Sequence, residues 1–233
     1  MIAQLLKILA FSAAGIFFLD ISSINAFTQS PTLSYDTNYE LPKTIEKQFS
    51  KNKIIPLKYQ KPILIALSHY PELADAHIEF KLTNSKTPLM ARPSVWSTFV
   101  NAKHRRYIIS ISEKTSGAFE PIFLRNLSFE AQIGVLGHEL SHISDFHSRW
   151  GIYYLKLLFM QLSSSSLDKM EYDTDVRAIK HGLGNQLLKW STEVRSKLNI
   201  KEWNGVKETK GDKGRYMNPD QIRDSVKTMK SEE

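Results

Sequence analysis

One stretch, Ser128 to Phe146, restricts what this chain can fold into more than any other. It contains His138-Glu139-Leu140-Ser141-His142, an H-E-x-x-H pattern. On a helix, positions four apart return to within about 40° of each other, so both imidazoles leave one face. They can share one Zn²⁺, while Glu139, one step round, reaches a water on that ion. The flanking residues predict the helix independently. With His138 at 0° and about 100° per residue, Ile133, Leu136, Leu140 and Ile143 fall at about 220°, 160°, 200° and 140°. This is an apolar stripe opposite the metal face. Gly134, at about −40°, leaves room beside His138 for substrate or metal. Ser128 is the expected N-cap, and Glu130 suits the positive end of the helix dipole. Chance alone produces the five-residue pattern in roughly one chain in a hundred of this length and composition, so the surrounding pattern matters.

A catalytic zinc needs three protein ligands and a water, and two histidines supply only two. An extension to H-E-x-x-H-x-x-G-x-x-H would require Gly at 145 and His at 148. The chain has Asp145 and Ser148, and His147 is turned about 100° from the required direction. Asp145 reads as a capping or salt-bridging residue of its own helix. The better donor lies further on, in Glu171-Tyr172-Asp173-Thr174-Asp175. Glu171 and Asp175 are four apart and share a helix face. Glu171 can supply the third ligand, and Asp175 can accept the outer N–H of a ligating imidazole and fix its tautomer.

These residues resemble the gluzincin metallopeptidases, whose pattern is H-E-x-x-H followed on a later helix by E-x-x-x-D. The similarity spans about residues 105–184 and looks closest to the Ste24-like branch. It implies an α+β, zincin-like fold, in which a small, mainly antiparallel sheet packs on a helical bundle carrying both ligand helices. It also implies zinc on His138, His142 and Glu171, Glu139 as general base, and a peptide or protein substrate. The strand Tyr107–Ser112 would hold that peptide by main-chain pairing. The oxyanion partner stays open among Tyr153, Tyr154, Tyr172, Arg177 and His181. A different class of reading is a non-catalytic, zinc-stabilised binding or assembly protein of the cell envelope. Glu139 argues against it, since a structural zinc site needs no base and closes all four positions.

The N-terminus predicts export. Lys7 precedes an uncharged apolar run from Ile8 to Leu19, and small polar residues lead to Ala26. That is the order of a signal peptide over residues 1–26, with Ile24 larger than usual three places before the cut. The apolar run is shorter than the roughly 20 residues that span a bilayer, and an uncleaved membrane anchor is the alternative. The chain has no cysteine, so disulfides contribute nothing. Its net charge of +7 is spread along the sequence without an aromatic-interleaved patch. This points to a solvated surface with peripheral attraction to anionic membranes or polymers, not to nucleic-acid recognition.

Residues 27–40 read as a linker and 41–200 as the metallopeptidase domain, with 201–233 a charged tail ending in a short helix capped at Asn218-Pro219. Helical spacing marks 41–49 and 61–73. Alternation marks strands at His77–Thr83, Pro88–Pro93, Val95–Val100 and, most strongly, Arg105–Ser112. Lys103 to Arg106 reads as a charged hairpin turn. Ile152–Leu162 is apolar on nearly all sides and reads as a buried helix. Further helices are expected from Leu167 to His181 and from Gln186 to Leu198, separated by Gly182-Leu183-Gly184.

Overall fold

A computed structural model describes residues 34–94, 97, 100, 104–114, 117–149, 164–200 and 216–231. The expected leader at 1–26, the apolar Ile152–Leu162 segment and the charged stretch 201–215 lie outside these residues. So do Tyr153, Tyr154 and most of the Val95–Val100 candidate.

The elements run α1 (Lys43–Ser50), β1 (Lys53–Ile54), α2 (Gln60–Ser68), β2 (His77–Thr83), β3 (Leu89–Pro93), β4 (Arg106–Ser112), α3 (Phe129–Ser148), α4 (Ser164–Ala178), α5 (Gly184–Lys197) and α6 (Pro219–Ser231). After an α1-β1-α2 lead-in, β2 to β4 precede α3 to α6, and the fold is α+β.

The sheet corrects the expected strand arrangement. Its order is β1-β2-β4-β3, with β1–β2 and β2–β4 parallel and only β3–β4 antiparallel. It is a mixed sheet, not a mainly antiparallel one. Alternation reports which residues face inward, but it is blind to strand direction. The five residues between β2 and β3 look like a hairpin loop. Extended, they reach about 17 Å, enough to pass over one strand position and leave the slot that β4 fills. β4 therefore lies inside the sheet, paired on both sides, and β3 forms the edge. An incoming peptide cannot pair with Tyr107–Ser112 as the sequence suggested.

Alternate residues of the sheet, Ile78 and Phe80 on β2 with Tyr107, Ile109 and Ile111 on β4, are buried. They join α2, whose Pro62 to Ser68 are all buried, and α3 in one core. Helix α3 is the hub, packing on α2, α4, α5 and β3. Its predicted stripe Ile133, Leu136, Leu140 and Ile143 is fully buried. Gly134 has a different purpose from the one its position suggested. A Cβ there would lie 2.2 Å from the Gln186 carbonyl oxygen, so the missing side chain admits the α5 backbone rather than a substrate. Gly137 likewise makes room for Leu183.

Both ends of α3 are tied down by distant residues. The Ser128 hydroxyl does not cap its own helix and instead donates to Glu193 (2.5 Å). Glu130 accepts from the Tyr35 amide and from Ser34 Oγ (2.8 Å). At the other end Arg105 is buried, and its guanidinium donates to the Phe146 and Arg149 carbonyls (3.0 and 2.6 Å). The supposed turn residue thus satisfies orphan acceptors at a helix C-terminus.

Between α4 and α5 the chain takes a π-type turn at Ile179–Leu183, where Gly182 adopts φ 81°. That left-handed conformation suits glycine and turns the chain back along α3. The packed unit extends beyond the 41–200 span at both ends. Tyr35 is buried and bonds His69 Nε2 (2.8 Å), and α6 packs Ile222 and Val226 against Ala178, Ile179 and Leu187. No described helix is long and apolar enough to cross a membrane.

Candidate metal centre

Helix α3 projects His138 and His142 one turn apart toward α4, which presents Glu171 one turn before Asp175. Glu171 Oε2 lies 3.1 Å from His138 Nε2 and 3.3 Å from His142 Nε2. One ligand atom from each of the three residues falls within 4.8 Å of the others. Both histidines are buried and Glu171 is nearly so. The three residues chosen from sequence spacing thus form a group able to hold a metal ion.

The outer nitrogens explain why the inner ones converge. His138 Nδ1–H donates to Asp175 Oδ1 (2.8 Å). The carboxylate is an acceptor, so Nε2 is the nitrogen left to face the centre. His142 Nδ1–H donates to Thr174 Oγ1 (3.3 Å), whose own hydroxyl donates to the Met170 carbonyl (2.8 Å). Asp175 thus accepts the outer N–H of His138, and Thr174, missed in the sequence, does so for His142. Its i, i+4 relation to Met170 makes it look like any helix threonine.

Burial disfavours charge on His138, but the Asp175 and Glu171 carboxylates outweigh it and push the imidazole up to about 10. Burial likewise opposes ionisation of Glu171, yet the hydrogen bonds from His138 and His142 hold its carboxyl well below the usual range. The group thus attracts positive charge. Glu139 is also buried, and that burial pushes its carboxyl up despite the nearby histidines and a main-chain bond from Ala91 on β3. A buried carboxyl with a raised pKa beside a cation site is suited to moving protons.

The other sequence candidates are placed elsewhere. Asp145 pairs with Arg149 (2.9 Å) and Arg177 (2.7 Å). His147 meets the Tyr107 hydroxyl (3.2 Å), and His181 meets Glu72 (3.0 Å). Tyr172, next to Glu171, is exposed. Two aromatics that sequence reasoning missed stand against His138: Trp190 at 5.4 Å and Tyr216 at 5.5 Å between ring centroids. Neither carries a local signal, since the contact is made across long separations.

Beside the metal group lies a cavity of ≈ 480 Å³, bounded by Leu89 of the edge strand, Val135 and Glu139 of α3, Trp190 and Val194 of α5, and Tyr216. Its size is that of a small-ligand or side-chain pocket. No family model, curated protein or solved structure matches the chain.

Proposed function

We propose that this protein is an exported zinc endopeptidase of the gluzincin type. The observation that carries the reading is the His138–His142–Glu171 group with Glu139 beside it. A tetrahedral zinc with bonds of about 2.0–2.1 Å has ligand atoms about 3.3 Å apart. The two nitrogen-to-Glu171 distances, 3.1 and 3.3 Å, fit that spacing. Two imidazoles and one carboxylate are also the donor set of catalytic rather than closed structural zinc.

When bound, zinc supplies Lewis acidity toward a carbonyl and an acidified water. Glu139 takes the proton of the attacking water and passes it to the leaving amine. Asp175 and Thr174 keep both imidazoles in the tautomer that faces inward. The substrate runs extended along β3, the edge strand whose Ala91 main chain meets Glu139. Leu89 and Val135 give the adjoining cavity an apolar wall for a side chain next to the cleaved bond.

The test is metal analysis and peptide-library cleavage by the purified chain, beside Glu139→Gln. About one zinc per chain in both proteins, with cleavage only by the first, is expected. Zinc uptake without any cleavage would favour the binding-protein alternative, and no uptake would remove both.

A further inference from the structure

The metal group is not completed by α3 and α4 alone. Asp175 is buried and has two oxygens to satisfy. One takes the His138 N–H, and the other, Oδ2, takes the main-chain N–H of Met217 (2.8 Å). A single carboxylate thereby joins the C-terminal segment to a ligand ring. The neighbouring residue, Tyr216, sets its ring edge-on to both His138 (5.5 Å) and Trp190 (5.9 Å).

Met217 is itself held from several directions. Its carbonyl accepts from Ser191 Oγ (3.4 Å) and Arg195 (3.3 Å) on α5. Directly after it, Asn218 and Gln221 exchange side-chain-to-amide hydrogen bonds of 2.8 and 2.9 Å, a reciprocal cap that starts α6. Ile222 and Val226 then bury against α4 and α5. Gly184 lies so close to Val226 that a Cβ would meet its methyl at 2.4 Å. A carboxylate bonded through only one oxygen can turn about its terminal torsion. Bonding the second oxygen to a main-chain donor, itself fixed by a capped and docked helix, removes that freedom.

We propose that the C-terminal helix is a positioning element of the metal centre, its docking fixing Asp175 and therefore the His138 ring. The proposal rests on the metal-site reading above and adds to it a coupling between metal affinity and α6 docking. Such a coupling is reciprocal: whatever factor docking contributes to metal binding, the metal returns to docking.

The full chain is titrated with zinc and with cobalt(II), and amide hydrogen exchange is followed with and without metal. Val226→Asp expels α6 at a site away from the ligands, Asn218→Ala weakens its cap, and Lys227→Ala alters only its solvent side. Val226→Asp should weaken metal binding about 10–100-fold and change the cobalt absorption spectrum, as loss of an orienting partner does. Asn218→Ala should weaken it by a few-fold, and Lys227→Ala should leave it unchanged. In the unaltered chain, metal should slow exchange across α6 more than across α1. Equal affinities in chains whose α6 amides exchange freely would overturn the proposal, as would metal protection no greater at α6 than at α1. Should Val226→Asp fail to fold, Asn218→Ala and the exchange of the unaltered chain decide the matter. No metal uptake by the unaltered chain would sink the site reading and this proposal together, whereas uptake without coupling sinks the proposal alone.

Discussion

Asp175→Asn against Asp173→Asn separates the geometry of the site from its general charge. An asparagine at 175 offers one acceptor where the aspartate offered two. With its oxygen toward His138, its NH₂ confronts the Met217 N–H, and a buried donor pair is left without an acceptor. With its oxygen toward Met217, the NH₂ faces Nδ1 of His138 and forces the imidazole proton onto Nε2, the nitrogen needed for metal. Either way one hydrogen bond to a charged group is lost, worth about 1.5–3 kcal/mol. That converts to roughly 10–150-fold in affinity, matching the usual cost of changing a group that orients a metal ligand. Asp173 carries the same charge two residues away but pairs with Lys169 at the exposed surface. Its neutralisation should change affinity by less than about threefold. Competition with a chromophoric chelator reads both dissociation constants, and circular dichroism confirms that the variants fold. Equal losses at 173 and 175, or an Asp175→Asn chain within threefold of the original, would refute the positioning argument.

The remaining expectations use other parts of the molecule. Glu139→Gln should keep zinc affinity but lower kcat by about 10²–10⁴ in peptide cleavage, the usual contribution of a general base. Thr174→Val removes the neutral acceptor of His142, so chelator competition should show a smaller loss of zinc affinity than for Asp175→Asn. Gly134→Ala drives a methyl into the Gln186 carbonyl and should cost about 3 kcal/mol in urea unfolding, while Gly117→Ala, with open space around it, should cost under about 0.5 kcal/mol. Burial lowers His69 from 6.5 to about 4, opposed by its bond to the His181 carbonyl. The unfolded chain therefore binds the extra proton between those values, and stability falls as pH drops from about 6.5 to 4. The full loss is about 3 kcal/mol, read as the pH dependence of urea midpoints beside a His69→Gln chain.

The candidate metal group was legible because each part repeats at helical spacing within a few residues. His138 and His142 are four apart, as are Glu171 and Asp175, and α3 and α4 bring the two pairs face to face. The inward faces of β2 and β4 were legible for the same reason, at period two. Strand order was not, because β4 enters between β2 and β3 only after both have formed in sequence, and loop length misled. Gly134 was read by its angle to His138, but its cause is the passing backbone of α5. Arg105 looked like a surface turn and instead closes a helix end through carbonyls more than 40 residues away. Met217 reaches Asp175 through its main-chain N–H, which every residue but proline possesses, so no pattern of side chains could have singled it out.

That last bond also sets an order in time. A chain is made from its N-terminus at about 5–20 residues per second. His142 emerges about 75 residues ahead of Met217, an interval of roughly 4–15 s. During it the two histidines, and then Glu171 and Asp175, exist without the donor that holds the far oxygen of Asp175. On the proposed reading, the nascent molecule thus carries its candidate metal-holding residues for several seconds before the segment that steadies Asp175 has been made.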